Sequence, residues 1–209
     1  MNSKDFLNFE QYCRYDLINF LIELYDYKSY LEIGVDIGAN FEKIRCPLKY
    51  GVDPNKKYEG LTHNMTSDEF FAQNKENFDI IFIDGLHISD QVIVDIKNSL
   101  NCLRPKGTIV MHDCLPVHEE VQRQERLHDH WNGDVWKAFA HYRSDPNLFM
   151  MTVNTDEGLG FIKKAQQITF ELPEELDFDF YAVNAFNLMN VKSVLQALNT
   201  IRELHSSGF

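Results

Sequence analysis

The sequence predicts an open α/β sheet of mostly parallel strands, and three observations support this fold class. Apolar runs typical of buried strands alternate with amphipathic segments of helical period along the first two thirds of the chain. Several of these runs stop at an acid, as those before Asp53 and Asp84 do. Residues 148–163 instead contain two apolar runs joined through Gly158, which is a hairpin signal. Alternating elements followed by a hairpin describe a parallel sheet with an antiparallel edge.

Composition narrows the class of protein further. The chain has 209 residues, of which 44% are apolar and 25% charged, so we expect one soluble domain over residues 1–209. A formal net charge of −12 disfavours nucleic acid and anionic membranes as partners. Four cysteines without paired spacing, no apolar run long enough for a bilayer and no signal-peptide pattern predict a cytoplasmic protein with reduced thiols.

Hydrophobic period and turn residues predict the elements in order. The first half should contain a helix over 4–27, a strand over 29–35, a helix over about 37–45, a strand ending at residue 53 and a short strand over 61–65. Thr66 and Glu69 form a capping box, which predicts a helix to about Asn74. A strand over 78–84, a helix capped by Ser89 or Asp90 and a strand over 108–113 should follow. The second half should contain a helix over 134–142, strands over 148–153 and 159–163 and a final helix around 191–204.

The turn after the first strand is the most informative motif. It carries Glu32, Gly34, Asp36 and Gly38, and the next strand ends in Asp53. A dinucleotide fingerprint requires glycine where Asp36 stands, and a carboxylate there would repel a diphosphate. The turn favours a ligand with a cationic end and a ribose, such as S-adenosylmethionine: Glu32 and Asp36 near the positive groups, amides near Gly34 at the carboxylate and Asp53 at the ribose. The alternative is a strand-to-helix turn without a ligand.

Two further sets of polar residues follow predicted strands. Ser67 and Asp68 lie where adenine would bind, or they simply cap their helix. Asp84, His87, His112 and Asp113 follow neighbouring strands whose carboxyl ends share one edge.

Three interpretations of this second set stay open. Asp84, His112 and Asp113 would hold Mg²⁺ or another divalent cation. His112 or His87, with Asp113, would act as general base in a methyl transfer. Otherwise Asp84 caps its turn and the histidines fill hydrogen bonds.

Residues 28–165 resemble the class I S-adenosylmethionine-dependent methyltransferases. The similarity is closest to a bacterial branch with the motif Ile83-Asp-Gly-Leu-His87, and it extends to Val110-Met-His-Asp113, Asn132-Gly-Asp-Val-Trp136 and Gly158-x-Gly160. The resemblance implies a Rossmann-like, doubly wound sheet of seven strands with an antiparallel last strand and helices on both faces. It places the methyl group near Asp84.

The resemblance also bears on the metal. Related metal-dependent O-methyltransferases place ligands at the ends of the fourth and fifth strands, where this chain has His112 in place of a usual ligand.

The sequence therefore predicts an S-adenosylmethionine-dependent methyltransferase that acts on a hydroxyl of a small molecule such as a sugar. The alternatives are a nucleotide-binding α/β oxidoreductase and a non-catalytic module that binds S-adenosylmethionine. Residues 1–27 and 167–209 are expected to shape the acceptor pocket or a homo-oligomer interface. Trp131 should lie beside the pocket, and His128-x-His130 lacks the third ligand of a strong metal motif.

Overall fold

The computed structural model describes residues 12–127 and 129–209, in which seven strands form one sheet in the order β2-β1-β3-β4-β6-β5-β7. The strands are β1 Ser29–Ile33, β2 Leu48–Val52, β3 Phe78–Ile83, β4 Leu103–Met111, β5 Leu148–Val153, β6 Leu159–Lys164 and β7 Val191–Lys192. β6 runs antiparallel to its neighbours β4 and β5, and the other neighbouring pairs are parallel. The predicted fold class is confirmed, including the antiparallel strand that closes the hairpin.

Helices cover both faces of the sheet because successive strand side chains point to opposite sides. The helices are α1 Arg14–Tyr25, α2 Ser67–Gln73, α3 Ser89–Cys102, α4 Val135–Tyr142, α5 Phe178–Leu188 and α6 Val194–Ser206. In β3, Ile80 and Phe82 pack with α1 and α6, whereas Ile81 and Ile83 pack with α2, α3, α4 and α5. None of the helices in the described part of the chain is long and apolar enough to span a membrane.

Side chains that start two helices also fix the loops around them. The Thr66–Glu69 capping box is confirmed: Thr66 Oγ1 accepts the Glu69 N–H at 3.2 Å. The prediction that Ser89 or Asp90 caps α3 is wrong. Asp134, 45 residues further along the chain, instead accepts the Ser89 N–H at 2.7 Å and the Ser89 hydroxyl at 3.0 Å.

The predicted helix over 37–45 is not formed. The segment turns at Gly38, whose φ is +81° and whose N–H donates to the Val35 carbonyl, and only a 3₁₀ helix, Phe41–Lys43, follows. Ile37 is 64% exposed, so the apolar spacing that suggested a helix does not correspond to one buried face. A Cβ on Gly38 would overlap the Tyr58 ring, which packs against this turn.

The predicted strand over 61–65 is also wrong, because only His63 forms a bridge, to Val52. Thr62 Oγ1 bonds both the N–H and the carbonyl of Gly51, at 2.8 and 2.9 Å, and so replaces part of a backbone ladder. The sheet reaches seven strands through β7, which the sequence did not reveal.

The terminal segments are described in part. Of the helix predicted over 4–27, residues 4–11 lie outside the described residues, and α1 ends at Tyr25. Helix α5 was not expected, and its Val183 and Phe186 are exposed. The oligomer interface through the terminal segments stays a prediction.

Candidate functional site

A cleft of about 850 Å³ lies at the carboxyl ends of the parallel strands. Its walls include the predicted site residues Glu32, Gly34, Asp36, Asp53, Ser67, Asp68, Asp84, His87, His112 and Asp113. Gly38 lies behind the wall and shapes the turn. The strand-end pattern in the sequence therefore located the cleft.

Gly34 joins the ends of three strands. Its φ is +87°, its N–H donates to the Val52 carbonyl at 2.9 Å, and a Cβ at this position would overlap the Asp84 carbonyl oxygen. Glycine is required here both for the backbone conformation and for the close approach.

Asp53 is held by backbone amides on one side of the cleft. Its Oδ2 accepts the Asp36 N–H at 2.9 Å and its Oδ1 accepts the Asn55 N–H at 2.7 Å. Each oxygen keeps a further lone pair for a ligand hydroxyl. The Asp36 side chain points outward and pairs with Lys57 at 2.6 Å, so its backbone contributes to this wall more directly than its carboxylate.

Glu32 is almost fully buried and has neutral partners. The Tyr30 hydroxyl and, at 3.0 Å, Asn40 Nδ2 donate to its Oε2. Burial raises the pKa of Glu32 to about 8, although both hydrogen bonds act in the opposite direction. Asn40 Oδ1 is buried without a partner among the described residues, which leaves an acceptor in this wall for a ligand donor.

Ser67 and Asp68 begin α2 at the far end of the same wall. Thr66 supplies the helix cap, so the hypothesis that Ser67 and Asp68 only cap the helix is not needed. Gln91 Nε2 lies 3.3 Å from Ser67 Oγ and 3.2 Å from Asp68 Oδ1.

The opposite side of the cleft contains a cluster of acids and imidazoles. His87 Nε2 lies 3.4 Å from both Asp84 Oδ1 and Asp113 Oδ2. His87 Nδ1 faces the Trp131 carbonyl at 3.3 Å, which is an acceptor, so Nδ1 carries a proton and a neutral ring keeps its lone pair on Nε2. Burial lowers the pKa of His87, but the hydrogen bond to Asp84 and the charge of Asp113 outweigh it, and the net shift is upward.

His112 has carboxylates at both ring nitrogens. Nδ1 lies 2.7 Å from Asp113 Oδ2 and 3.5 Å from Asp84 Oδ1, and Nε2 lies 3.4 Å from Asp156 Oδ1. Burial lowers the pKa of His112, but these carboxylates raise it to about 11. Geometry and pKa agree that His112 is an imidazolium.

Arg14, at the start of α1, completes this cluster. Its Nη1 donates to Asp84 Oδ2 at 2.7 Å, while Nε and Nη2 grip Asp156 at 3.0 and 3.1 Å. Burial raises the pKa of Asp84, but His112, His87 and Arg14 lower it by more, so the net pKa lies below the ordinary range of an aspartate. The pKa of Asp156 is also lowered, by His112 and Arg14.

Residues 131–134 contact the cluster and the turn that carries His87. Trp131 stacks on His87 with ring centroids 4.8 Å apart, and Asn132 Nδ2 donates to Asp113 Oδ1 at 2.7 Å. Gly133, with φ +61°, lies so close that a Cβ would overlap the His87 carbonyl oxygen. Asp134 caps α3, so Trp131, Gly133 and Asp134 fix the turn that carries His87, whereas Asn132 fixes Asp113.

Comparison with known proteins agrees with this geometry. Residues 31–114 match the sequence model of a family described as a methyltransferase domain, and this range contains most of the cleft wall. The chain carries a class I S-adenosylmethionine-dependent methyltransferase domain. No curated protein matches the chain.

Solved structures share the fold of this methyltransferase at low identity. An O-methyltransferase from Bacillus cereus in complex with S-adenosylhomocysteine is 16% identical, with TM-score 0.51 over 70% of this chain and 77% of that chain. The O-methyltransferase TomG from Streptomyces achromogenes in complex with S-adenosylmethionine is 13% identical, with TM-score 0.53 over 71% and 78%. A methyltransferase from Podospora anserina bound to S-adenosylhomocysteine is 20% identical, with TM-score 0.55 over 73% and 78%.

The structure adds residues that sequence reasoning on this methyltransferase missed. Arg14 and Asp156 join the cluster although they are 142 positions apart, and no spacing rule connects them. Asp84, His87 and Asp113 offer ligand atoms within 4.8 Å of one another, so the third candidate ligand is His87 and not the His112 expected from the sequence. His130 pairs with Glu157 at 2.6 Å, and His128 lies outside the described residues.

Proposed function

We propose that this methyltransferase transfers the methyl group of S-adenosylmethionine to a hydroxyl of a small molecule, such as a sugar or another hydroxylated metabolite. The observation that carries the proposal is that one cleft joins an amide-lined acidic wall to an Asp–His cluster. A volume of about 850 Å³ falls within the usual range for small-molecule sites, about 300–1,000 Å³. The O-methyltransferases named above support the choice of oxygen as acceptor.

The donor fits the wall formed by the ends of β1 and β2. Asp53 would accept the two ribose hydroxyls, one on each carboxylate oxygen. Glu32 and Asn40 Oδ1, which has no partner in the described part of the chain, would accept from the α-ammonium, and Ser67 and Asp68 would lie at the adenine. The sulfonium then points toward the cluster at Asp84.

The acceptor side supplies a base. As the acceptor oxygen bonds to the methyl carbon, the S–C bond breaks, its electron pair stays on sulfur, and neutral S-adenosylhomocysteine leaves. The hydroxyl proton passes to His87 Nε2, which the Trp131 carbonyl keeps as the accepting nitrogen. Asp84 and Asp113 then stabilise the imidazolium. His112 does not suit this role, because the carboxylates at both of its nitrogens raise its pKa to about 11. His87 acts as the base in its neutral form.

A labelled-methyl assay over sugars, phenols and amines tests the proposal. With an oxygen acceptor in hand, His87→Gln should lower kcat by about 10²–10⁴-fold, while the Kd for S-adenosylmethionine stays within about twofold. His141→Gln replaces an exposed histidine outside the cleft and should change neither quantity.

The pH profile provides a second readout. Because the base must be neutral and the pKa of His87 is raised, kcat/KM should rise with pH through an apparent pKa above 6.5. Transfer to amines alone, or binding of the donor without turnover on any acceptor, would contradict the proposal.

A further inference from the structure

The carboxylates on the acceptor side of the cleft already have cations bound to them. Arg14 uses three of its nitrogens on two acids: Nη1 on Asp84, and Nε with Nη2 on Asp156. A guanidinium can bind one carboxylate with two nitrogens and a second carboxylate with its third nitrogen. The single ammonium nitrogen of a lysine cannot form this fork. The Arg14 backbone N–H also donates to Asp156, at 2.7 Å. The first turn of α1 is therefore fixed to the cluster.

His112 is the second cation. Its Nδ1 lies between Asp113 and Asp84, and its Nε2 faces Asp156. With a carboxylate oxygen at each ring nitrogen, only the doubly protonated ring can donate to both Asp113 and Asp156. Three carboxylates thus face two cations.

A divalent cation fits this cluster poorly. It would be held by Asp84, Asp113 and His87, whose facing atoms are Asp84 Oδ1, Asp113 Oδ2 and His87 Nε2. However, Arg14 lies 2.7 Å from Asp84, and His112 lies 2.7 Å from Asp113 Oδ2, one of the three ligand atoms. The single carboxylate charge in excess is less than a divalent ion needs, and two positive groups would repel it at close range.

We propose that Arg14 takes the place of a divalent cation in this cleft, so that methyl transfer proceeds without metal. Arg14 bridges Asp84 and Asp156 with its single positive charge and orients Asp84 so that its second oxygen faces His87. It is a positioning residue that acts through Asp84. The inference rests on the proposed function, but its first test needs neither donor nor acceptor.

Metal binding is the first test. Calorimetric titration with Mn²⁺, and separately with Mg²⁺, should give no stoichiometric site in the unmodified protein. Arg14→Met leaves Asp84 and Asp156 without their guanidinium, and it should create a Mn²⁺ site at least tenfold tighter than any binding by the parent chain. Arg104→Met is the matched control, because Arg104 also faces an acid, Asp79 at 3.8 Å, but lies outside the cleft; it should gain no site.

Activity on an identified acceptor is the second test. The parent enzyme should keep its rate in EDTA, and Arg14→Met should lose at least tenfold and regain part of it with Mn²⁺. Arg14→Lys keeps the charge without the fork, so it should show an intermediate rate that Mn²⁺ does not raise.

The two tests separate the possible failures. One tight Mn²⁺ or Mg²⁺ per parent chain, or a parent rate that EDTA abolishes and metal restores, would overturn the inference while leaving methyl transfer intact. If no acceptor is methylated, the proposed function fails and the titrations still decide the role of Arg14. A melting curve will show whether Arg14→Met folds. If it does not, the metal titration of the parent protein and the activity of Arg14→Lys decide whether Arg14 replaces a metal.

Discussion

The two sides of the cleft hold their acids in opposite ways. On the donor side, Glu32 and Asp53 are held by a hydroxyl, a side-chain amide and backbone N–H groups, all of them neutral. On the acceptor side, Asp84 contacts Arg14 and His112, and Asp113 contacts His112. Neutral donors satisfy a buried carboxylate without cancelling its charge, whereas cations cancel it.

Under the proposed function, this contrast determines where a cationic ligand would bind. Among the described residues, no cation occupies the carboxylates of Glu32 and Asp53 on the donor side, so their negative charge is available to a bound molecule that carries a sulfonium and an ammonium. The acceptor side has little charge left, and its fixed dipoles and ion pairs are suited to holding a hydroxyl and stabilising a newly protonated His87. The three predictions below test this division, starting from the residue at which the two sides meet.

Gly34→Ala should have the largest effect, because it forces the two sides apart. A Cβ at Gly34 overlaps the Asp84 backbone, and the mutant should lose about 4 kcal/mol or more of its free energy of unfolding, measured in urea. Gly208→Ala is the control: its φ is +91°, but no atom of the described residues lies within 4 Å of an added Cβ. This mutant should lose only the free energy that a left-handed backbone costs a non-glycine residue, about 1–2 kcal/mol. Equal losses in the two mutants would show that the contact with Asp84 does not matter.

The position of Gly34 and of the acids proposed to bind the donor could be predicted from the sequence, because their signals are local. Gly34 and Asp53 follow apolar runs directly, and parallel strands bring such ends to one edge. The capping box at Thr66 and the hairpin through Gly158 were also predicted from residues that are close together in the sequence. Local patterns were enough for each of these features.

The acceptor side was harder to predict because its partners are distant in sequence. Arg14 meets Asp84 across 70 positions, and Asp134 caps α3 across 45, with no repeat or period to connect them. The false helix over 37–45 has a similar origin. Its apolar spacing resembled a helical face, but contacts between Gly38 and Tyr58, from a later loop, determine the turn.

Asp53→Ala should have the next largest effect, and it should be confined to the donor. Two hydrogen bonds from ribose hydroxyls to a charged group contribute about 1.5–3 kcal/mol each, so the Kd for S-adenosylmethionine should rise about 100-fold or more in calorimetry. Asp68→Ala, which removes an exposed acid bonded to Gln91, should raise it about tenfold or less. A larger effect at Asp68 would contradict the assignment of Asp53 to the ribose.

The smallest effect concerns Glu32 and appears as a pH dependence of donor affinity. With the pKa of Glu32 raised to about 8, the free protein carries a protonated Glu32 at pH 6–7.5, and an α-ammonium should expel that proton on binding. The Kd should therefore fall as pH rises, by up to about tenfold per unit, in a range where the amino group of the donor stays charged.

Glu32→Gln cannot release the proton, so its weaker binding should be flat over this range. Glu59→Gln, at an exposed position, should keep the parent slope. Calorimetry at pH 7 in buffers of different ionisation enthalpy counts the protons released on binding. The parent protein should release close to one proton per donor bound, and Glu32→Gln should release none. A parent protein that releases no proton would mean that Glu32 is already ionised before the donor binds, and that the positive end of the donor is recognised elsewhere on this wall.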